Sequence, residues 1–505
     1  MFLKKKEQRK LLLLKHLLEQ PTALNYGALL DQLNISLPVL KRDIQSINED
    51  FKTIKEFSTI EILSKEQTLY LRNLTPFNMP FLIKKIRLNY YLNSIHFQLF
   101  EYLFSNAKVS LASLAKELAI SLPYLYKLLY LSNHFLASFD LYIDYSKKLD
   151  SILITGSKTN IRLFKTYFFW DITQGIHWLF TDLSSEEIFA YIPQEDIEYF
   201  LNLSAAKQSK YLQSIGTIHQ LYLVDDYKLD LNNYFKETIM VFMATNDFSY
   251  SLEGLLSNNF VLNDSDRLLN EQLLLNYSLR VFSSFKDSPI MQTRIGYELE
   301  QIDNELINYC KKMRQALLAT FPELKQFSTT NNIEEKSLYF LTLFFANVFY
   351  IRFNPANYSD YLETHDQLIL FDSDTFNQAK RFFDNFITTN PLTTTSEKSF
   401  LDSQKQIAYL LIYNIISHYK RSPIFICLYF SKNLFEEDFI RSELIKLLGK
   451  ENVTIVENIS EANIIISDFY EQPYQSNNYF YFDDITNKEN WRKLYTFIHD
   501  YQISH

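Results

Sequence analysis

The sequence predicts a multidomain, mainly α fold. Two small N-terminal units each join helices to a hairpin, two all-helical units follow, and an α/β unit closes the chain. Three observations predict this. A ten-residue block near the start is written twice, the hydrophobic pattern lengthens after about residue 160 into that of long amphipathic helices, and beyond Ser422 strands alternate with helices.

With 505 residues the chain has room for several cores, since single cores stop growing near ~250 residues. Hydrophobic residues at 47% and charged residues at 22% indicate a globular chain rather than a disordered one. Only 7 glycines occur, at 27, 156, 175, 216, 254, 296 and 449. No pair of them is close enough for a G-x-G-x-x-G or Walker phosphate loop, which excludes nucleotide chemistry on those templates. Cys310 and Cys427 stand far apart, so no disulfide framework is expected and a reducing cytoplasm fits. The uncharged run Ser337 to Ile351 is shorter than the roughly 20 residues of a membrane span and reads as a buried helix. Charge is uneven: residues 1–165 hold 23 Lys+Arg against 14 Asp+Glu, a net +9, and the remainder holds 27 against 45, a net -18. A basic front on an acidic body suits a polyanionic partner at the front alone.

The first unit, residues 1–75, opens with a leucine-rich helix from Glu7 to Gln20. A short helix Tyr26 to Leu33 leads into the block Leu33-Asn34-Ile35-Ser36-Leu37-Pro38-Val39-Leu40-Lys41-Arg42. Ser36 is placed to cap a second helix, Leu37 to about Phe51, and proline is tolerated in its first turn. Leu40, Ile44, Ile47 and Phe51 lie at helical spacing and form the core face, leaving Val39, Lys41, Arg42, Gln45 and Ser46 nearer the solvent. Strands Ile60 to Leu63 and Leu69 to Arg72 follow, with Lys65 at the tip between them. Two helices joined by a tight turn and followed by a hairpin spell a winged helix-turn-helix, whose second helix can enter a DNA major groove.

The second unit, residues 76–160, repeats this order. A Leu/Phe-rich helix His96 to Phe104 precedes a short helix Leu111 to Leu118, and Leu118-Ala119-Ile120-Ser121-Leu122-Pro123-Tyr124-Leu125-Tyr126-Lys127 repeats the block 85 residues on, with Asn133 at the offset of Asn48. Strands Leu141 to Ile143 and Ile152 to Thr155 form its wing, with Lys147 and Lys148 at the tip. Ser121, Tyr124, Tyr126 and Lys127 take the places held in the first copy by Ser36, Val39, Lys41 and Arg42. Tyrosine hydroxyls can bond phosphates but bring no charge for counterion release, so the first copy is the better candidate for reading DNA.

Helices are expected at Asn160 to Gln174, Pro193 to Leu203, Ser209 to Tyr222, Asn232 to Ala244 and Asp264 to Phe285, in a unit spanning 161–286. Those of the next unit, 287–420, fall at Met291 to Thr320, Ile333 to Ile351, Ser373 to Phe386 and Ser403 to Tyr419. The last unit, 421–505, reads as strand Pro423 to Tyr429, helix Glu436 to Leu448, strands Val453 to Val456, Ala462 to Asp468 and Tyr479 to Phe482, then helix Lys488 to Tyr501.

This order of units resembles the Mga/AtxA group of virulence regulators of Gram-positive bacteria. Such chains carry phosphotransferase-system regulation domains (PRDs) in the two helical positions and an enzyme IIB-like domain at the end. The sharpest local echo is Ile154-Thr155-Gly156-Ser157-Lys158-Thr159-Asn160-Ile161-Arg162-Leu163-Phe164, similar to the junction that closes the second winged helix in those regulators. The resemblance implies a cytoplasmic transcription regulator, commonly an activator of virulence, surface or metabolic genes, which acts on promoter DNA as a homodimer formed through its C-terminal domain. It also implies modulation by histidine phosphorylation from the phosphotransferase-system phosphocarrier protein. His219, His365 and His177 lie in or beside the helical units and are the candidate phosphoacceptors, the first two preferred for their acidic, exposed-looking neighbourhoods. Two positions depart from the pattern. Phe344 ends the stretch Leu341-Thr342-Leu343-Phe344 where a PRD often places histidine, and Cys427 lies inside its strand with no glycine-bearing loop after it.

No H-E-x-x-H, His/Cys ligand spacing or G-x-S-x-G elbow is present. Neither a metal, a cofactor nor an enzymatic activity is therefore expected. The alternative from another class is a phosphotransferase-system signalling or scaffold protein whose helix-turn-helix units contact protein rather than DNA.

Overall fold

The computed structural model describes residues 2–504 except 20–23, 66, 73–78, 107–108, 147–150, 181–182, 223–227, 245–264, 284–286, 327–331, 355–372, 421–423, 431–435, 450–451, 469–477 and 483–485. The described chain is mainly helical and divides into two compact units, Met1–Asp287 with Tyr350–Asp360, and Ser288–Phe349 with Tyr361–His505.

The first unit begins with α1 (Lys5–Glu19), β1 (Leu24–Asn25), α2 (Tyr26–Leu33), α3 (Leu37–Thr53), β2 (Glu61–Lys65) and β3 (Thr68–Arg72). The three strands form an antiparallel sheet in the order β1-β3-β2. Leu40, Ile44, Ile47 and Phe51 of α3 bury in one core with Leu13, Leu14 and Leu17 of α1, Leu29 of α2 and Ile62 and Leu69 of the wing. Each large apolar side chain fully buried there contributes about 1.5–3 kcal/mol. A helix absent from the sequence reading, α4 (Met79–Leu92), adds Leu82, Ile86 and Tyr90 to that same core although it lies beyond residue 75.

Next come α5 (Ile95–Ser105), α6 (Leu111–Glu117), α7 (Leu122–Leu136), β4 (Leu141–Ser146) and β5 (Ser151–Gly156), the last two paired in register from Leu141↔Gly156 to Ser146↔Ser151. This copy fills its core with rings: Phe100, Phe135, Phe139, Phe164 and Phe168 pack edge-on, tilted or stacked at centroid distances of 5.2–6.4 Å. Phe164 and Phe168 belong to α8 (Lys158–Thr173), which is buried on nearly every side.

Gly156 and Ser157 make the junction into α8. Gly156 has φ +125°, and a Cβ there would lie 2.3 Å from the Asp140 carbonyl oxygen. Ser157 caps the helix by accepting from the Asn160 N–H at 3.3 Å, and Asn160 Nδ2 donates to the Phe139 carbonyl at 3.0 Å. The Ile-Arg echo therefore has a structural reason: Arg162 is 2% exposed and its guanidinium grips Glu271, which is 0% exposed, with Nε–Oε2 at 2.7 Å and Nη1 donating to the Lys158 carbonyl at 3.0 Å. Glu271 lies on the helix Ser265–Ser283 of the same unit.

In the rest of this unit, α9 (Ser185–Ala190) was not foreseen, although its capping box Ser184-x-x-Glu187 is a readable signal. Pro193 to Leu203 is a 3₁₀ turn followed by α10 (Ile197–Asn202), and α11 (Ala205–Tyr222) and α12 (Asn233–Ala244) fall close to expectation.

In the second unit the expected single helix Met291 to Thr320 is two, Pro289–Leu299 and Glu305–Thr320. Asn304 restarts the second by accepting from the Ile307 N–H at 3.0 Å, and Lys311 Nζ donates to the carbonyls of Glu300 and Ile302 at 2.7 and 2.9 Å, satisfying the broken end. Gly296 lets the first of these helices cross Ile333–Ala346 closely, since a Cβ would lie 2.1 Å from the Glu335 carbonyl oxygen. The C-terminal segment holds a four-stranded parallel sheet in the order β7-β6-β8-β9 (Val453–Val456, Ile424–Tyr429, Ile464–Ser467, Tyr479–Tyr481). Helices Glu436–Leu448 and Lys488–Ser504 share its core through Ile440, Leu444, Leu494 and Ile498. No helix among the described residues is long and apolar enough to cross a membrane.

Candidate nucleic-acid interface

The two copies of the repeated block share the same backbone turn and differ in the cap that follows it. Asn34 and Ala119 both take the left-handed conformation, with φ 49° and 51°, which turns the chain sharply between the two helices. The next amide closes the turn in each copy: Ile35 N–H donates to the Leu30 carbonyl at 3.1 Å, and Ile120 N–H to the Ala115 carbonyl at 3.0 Å. Ser121 caps α7 by accepting from the Tyr124 N–H at 3.4 Å. Ser36 stands at the same place on α3 but its side chain makes no cap bond, contrary to expectation.

The repeated asparagine also has a physical reason. Asn48 Nδ2 donates to the Ile62 carbonyl at 3.0 Å and its Oδ1 accepts the Ile62 N–H at 2.8 Å; Asn133 makes the same pair with Ile143 at 2.9 and 2.6 Å. Each amide thus pairs with the outer edge of its first wing strand and fixes the hairpin against the second helix. Removing it leaves a strand N–H and C=O without that partner, so Asn48→Ala and Asn133→Ala should each cost about 1–3 kcal/mol in urea unfolding. Faster hydrogen exchange at the Ile62 and Ile143 amides is expected in the respective variants, and unchanged exchange contradicts the clamp.

A second set of contacts, missed in the sequence because the partners are far apart, fixes the back of α3. Arg9 of α1 pairs with the buried Asp43, with Nη2–Oδ1 at 3.0 Å, and Asp43 raises the pKa of its guanidinium. Lys10 reaches Asp50 at 2.6 Å and lies 4.5 Å from the Tyr90 ring centroid. Tyr90 donates its hydroxyl to Asp50 and is held far above its ordinary pKa by burial and by that carboxylate. Lys10 Nζ also donates to Ser46 Oγ at 3.3 Å, so Ser46 is half-buried and serves this internal network rather than standing on the open face.

What remains open is consistent between the copies. On α3 and its cap the exposed polar residues expected to face DNA are Ser36, Lys41, Arg42 and Gln45, alongside exposed Leu37, Pro38, Glu49, Lys52 and Thr53, with Gln45 Nε2 donating to Glu49 at 3.2 Å. On α7 and its cap they are Ser121, Tyr124, Tyr126, Lys127 and Tyr130, alongside exposed Leu122, Pro123, Leu131 and His134. Lys65 is exposed at the end of β2. Lys147 and Lys148 lie outside the described residues.

The histidine expectations change. His219 is 7% exposed, because Tyr211, Ile215 and His219 fall on one face of α11, the face that packs into the domain core; its charge field helps hold the Glu187 carboxyl below its usual pKa, after the bonds from Ser184. His177 is exposed in the loop after α8, and partial desolvation and then Lys85 lower its pKa. His365 lies outside the described residues. A further buried cation, Lys165 of α8, donates to the Phe104 carbonyl at 3.3 Å and to Gln220, and burial pushes its pKa down to about 7. Sequence reading gave no sign of it.

No curated protein matches the chain. Residues 80–169, which run from α4 into α8 and include α5, α6, α7 and the β4–β5 hairpin, match the family model of the Mga helix-turn-helix domain. The chain therefore carries a Mga-type helix-turn-helix domain, consistent with a regulator of the Mga type.

Proposed function

We propose that the protein is a non-enzymatic, cytoplasmic transcription regulator that binds promoter DNA through its two N-terminal winged helices. One observation carries this reading: the helix-turn-helix and hairpin inside the segment matched by the Mga helix-turn-helix model are built a second time within residues 1–72, with the same turn, the same asparagine clamp and a more basic outer face. The first copy's α3 enters a major groove, Lys41 and Arg42 meet phosphates or base edges, and Lys65 steadies the duplex from the wing. Tying α3 to α1 and to the wing lets these side chains approach DNA as one rigid surface.

Binding of the full chain to duplex DNA in a gel-shift titration should weaken steeply as salt rises, because phosphate neutralisation releases counterions. Lys41→Ala with Arg42→Ala should lower affinity more than Lys127→Ala and reduce the salt slope by about two. Duplex binding that ignores salt, or no binding at all, overturns the reading.

Activation of virulence, surface or metabolic genes, dimerisation through the C-terminal α/β segment and control by the phosphocarrier protein belong to the same proposal. Exposure makes His177 the preferred phosphoacceptor over His219 among the described histidines. A monomeric mass in solution discards the second part, and failure of the phosphocarrier protein to phosphorylate any histidine discards the third.

A further inference from the structure

The outer face of α7 differs in chemistry from that of α3, although the two backbones match. Where α3 presents Lys41, Arg42 and Gln45, α7 presents Tyr126, Lys127 and Tyr130. Tyr126 is 57% exposed, Tyr130 74% and Tyr124 46%. Such exposure of aromatic surface calls for a partner, and the basic charge of residues 1–165 favours an anionic one.

A paired duplex offers this face little. Its bases hide their π-faces inside the stack, and its phosphates reward cations, of which the α7 face brings Lys127 alone among these positions. An unpaired strand offers what the face fits: bases whose planes are free to stack on aromatic rings, joined by a backbone that one lysine can contact. Tyr126 and Tyr130 are four residues apart on one helix, so their rings stand on the same side about 6 Å apart along its axis.

We propose that the tyrosine face of α7 binds unpaired DNA bases, so that the second winged helix holds a locally opened strand while the first holds the paired duplex. The inference rests on the reading of the helix-turn-helix units as DNA-binding and names the form of DNA the second one takes.

The test uses the full chain and two labelled DNAs of the same length, one fully paired and one with a short central run of mismatched pairs. Fluorescence anisotropy gives both affinities at low and high salt. The wild-type chain should prefer the opened DNA about ten-fold or more, and the preference should survive high salt better than duplex affinity does. Tyr126→Ala with Tyr130→Ala should erase the preference, lowering affinity for the opened DNA about ten-fold more than affinity for the duplex; both side chains are exposed, and an unchanged thermal melt confirms that the variant is folded. Tyr126→Phe with Tyr130→Phe keeps the rings and should keep the preference. No preference in the wild-type chain, a preference untouched by the alanine pair, or its loss in the phenylalanine pair, which assigns the contact to hydroxyl and phosphate, overturns the inference. Failure to bind either DNA overturns the underlying DNA-binding reading first, so the two failures are distinguishable.

Discussion

Glu271→Ala should destabilise the first compact unit by about 3–5 kcal/mol, read as a lower urea midpoint at unchanged slope. Glu271 is fully buried and accepts from both Nε and Nη2 of the Arg162 guanidinium, itself 2% exposed. Deleting the carboxylate leaves a guanidinium that cannot give up its proton, out of contact with water and stripped of its charged partner. The loss is therefore mostly the cost of an uncompensated buried charge, not the value of the ion pair. Replacing both partners separates the two: Arg162→Met with Glu271→Leu should recover most of the stability, since apolar groups of similar volume often substitute for a buried pair at little cost. A double variant as unstable as Glu271→Ala contradicts that explanation. Because Arg162 sits one turn after the second wing, the single variant should also loosen the junction between that wing and α8.

Gly156→Ala should cost roughly 2–6 kcal/mol. Two terms add. The backbone at φ +125° is one that residues with a Cβ rarely adopt, and the new methyl would lie 2.3 Å from the Asp140 carbonyl oxygen, a backbone atom that cannot rotate away. Relief requires β5 to separate from β4 at the Leu141↔Gly156 pair, the last rung before α8. Gly27→Ala is the control: its nearest contact would be the Asn25 side chain at 3.2 Å on a helical backbone, so the change should stay within about 1 kcal/mol. Equal thermal shifts in the two variants would show that the junction is not strained in this way.

The elements legible in the sequence are those whose signal is local. The face Leu40, Ile44, Ile47 and Phe51 repeats at helical spacing, and both hairpins alternate inward and outward residues, so helix, turn and wing could be placed within a few residues. What escaped depends on partners distant in the chain. Arg162 and Glu271 are 109 residues apart, and nothing local to either marks it as buried. Asn48 and Asn133 were noticed only as a shared offset; their meaning needed the strand edge beside them. His219 was misplaced because acidic neighbours in sequence say nothing about which face of α11 meets the core, whereas its spacing from Tyr211 and Ile215 does. The break between Leu299 and Glu305 was concealed by apolar periodicity running through both helices, although Asp303-Asn304 is a readable restart. At the interface itself the exposed cations and tyrosines were legible, and the exception is Ser46, taken inward by Lys10 from another helix.

The most direct measurement is a genome-wide footprint of the full chain in its own cells, compared with the Lys41→Ala, Arg42→Ala variant expressed at the same level. The expected result is a set of discrete protected sites in promoter regions, lost or much weakened in the variant while the protein remains folded. An absence of discrete sites, or a footprint indifferent to the two substitutions, contradicts a regulator that reads DNA with its first recognition helix.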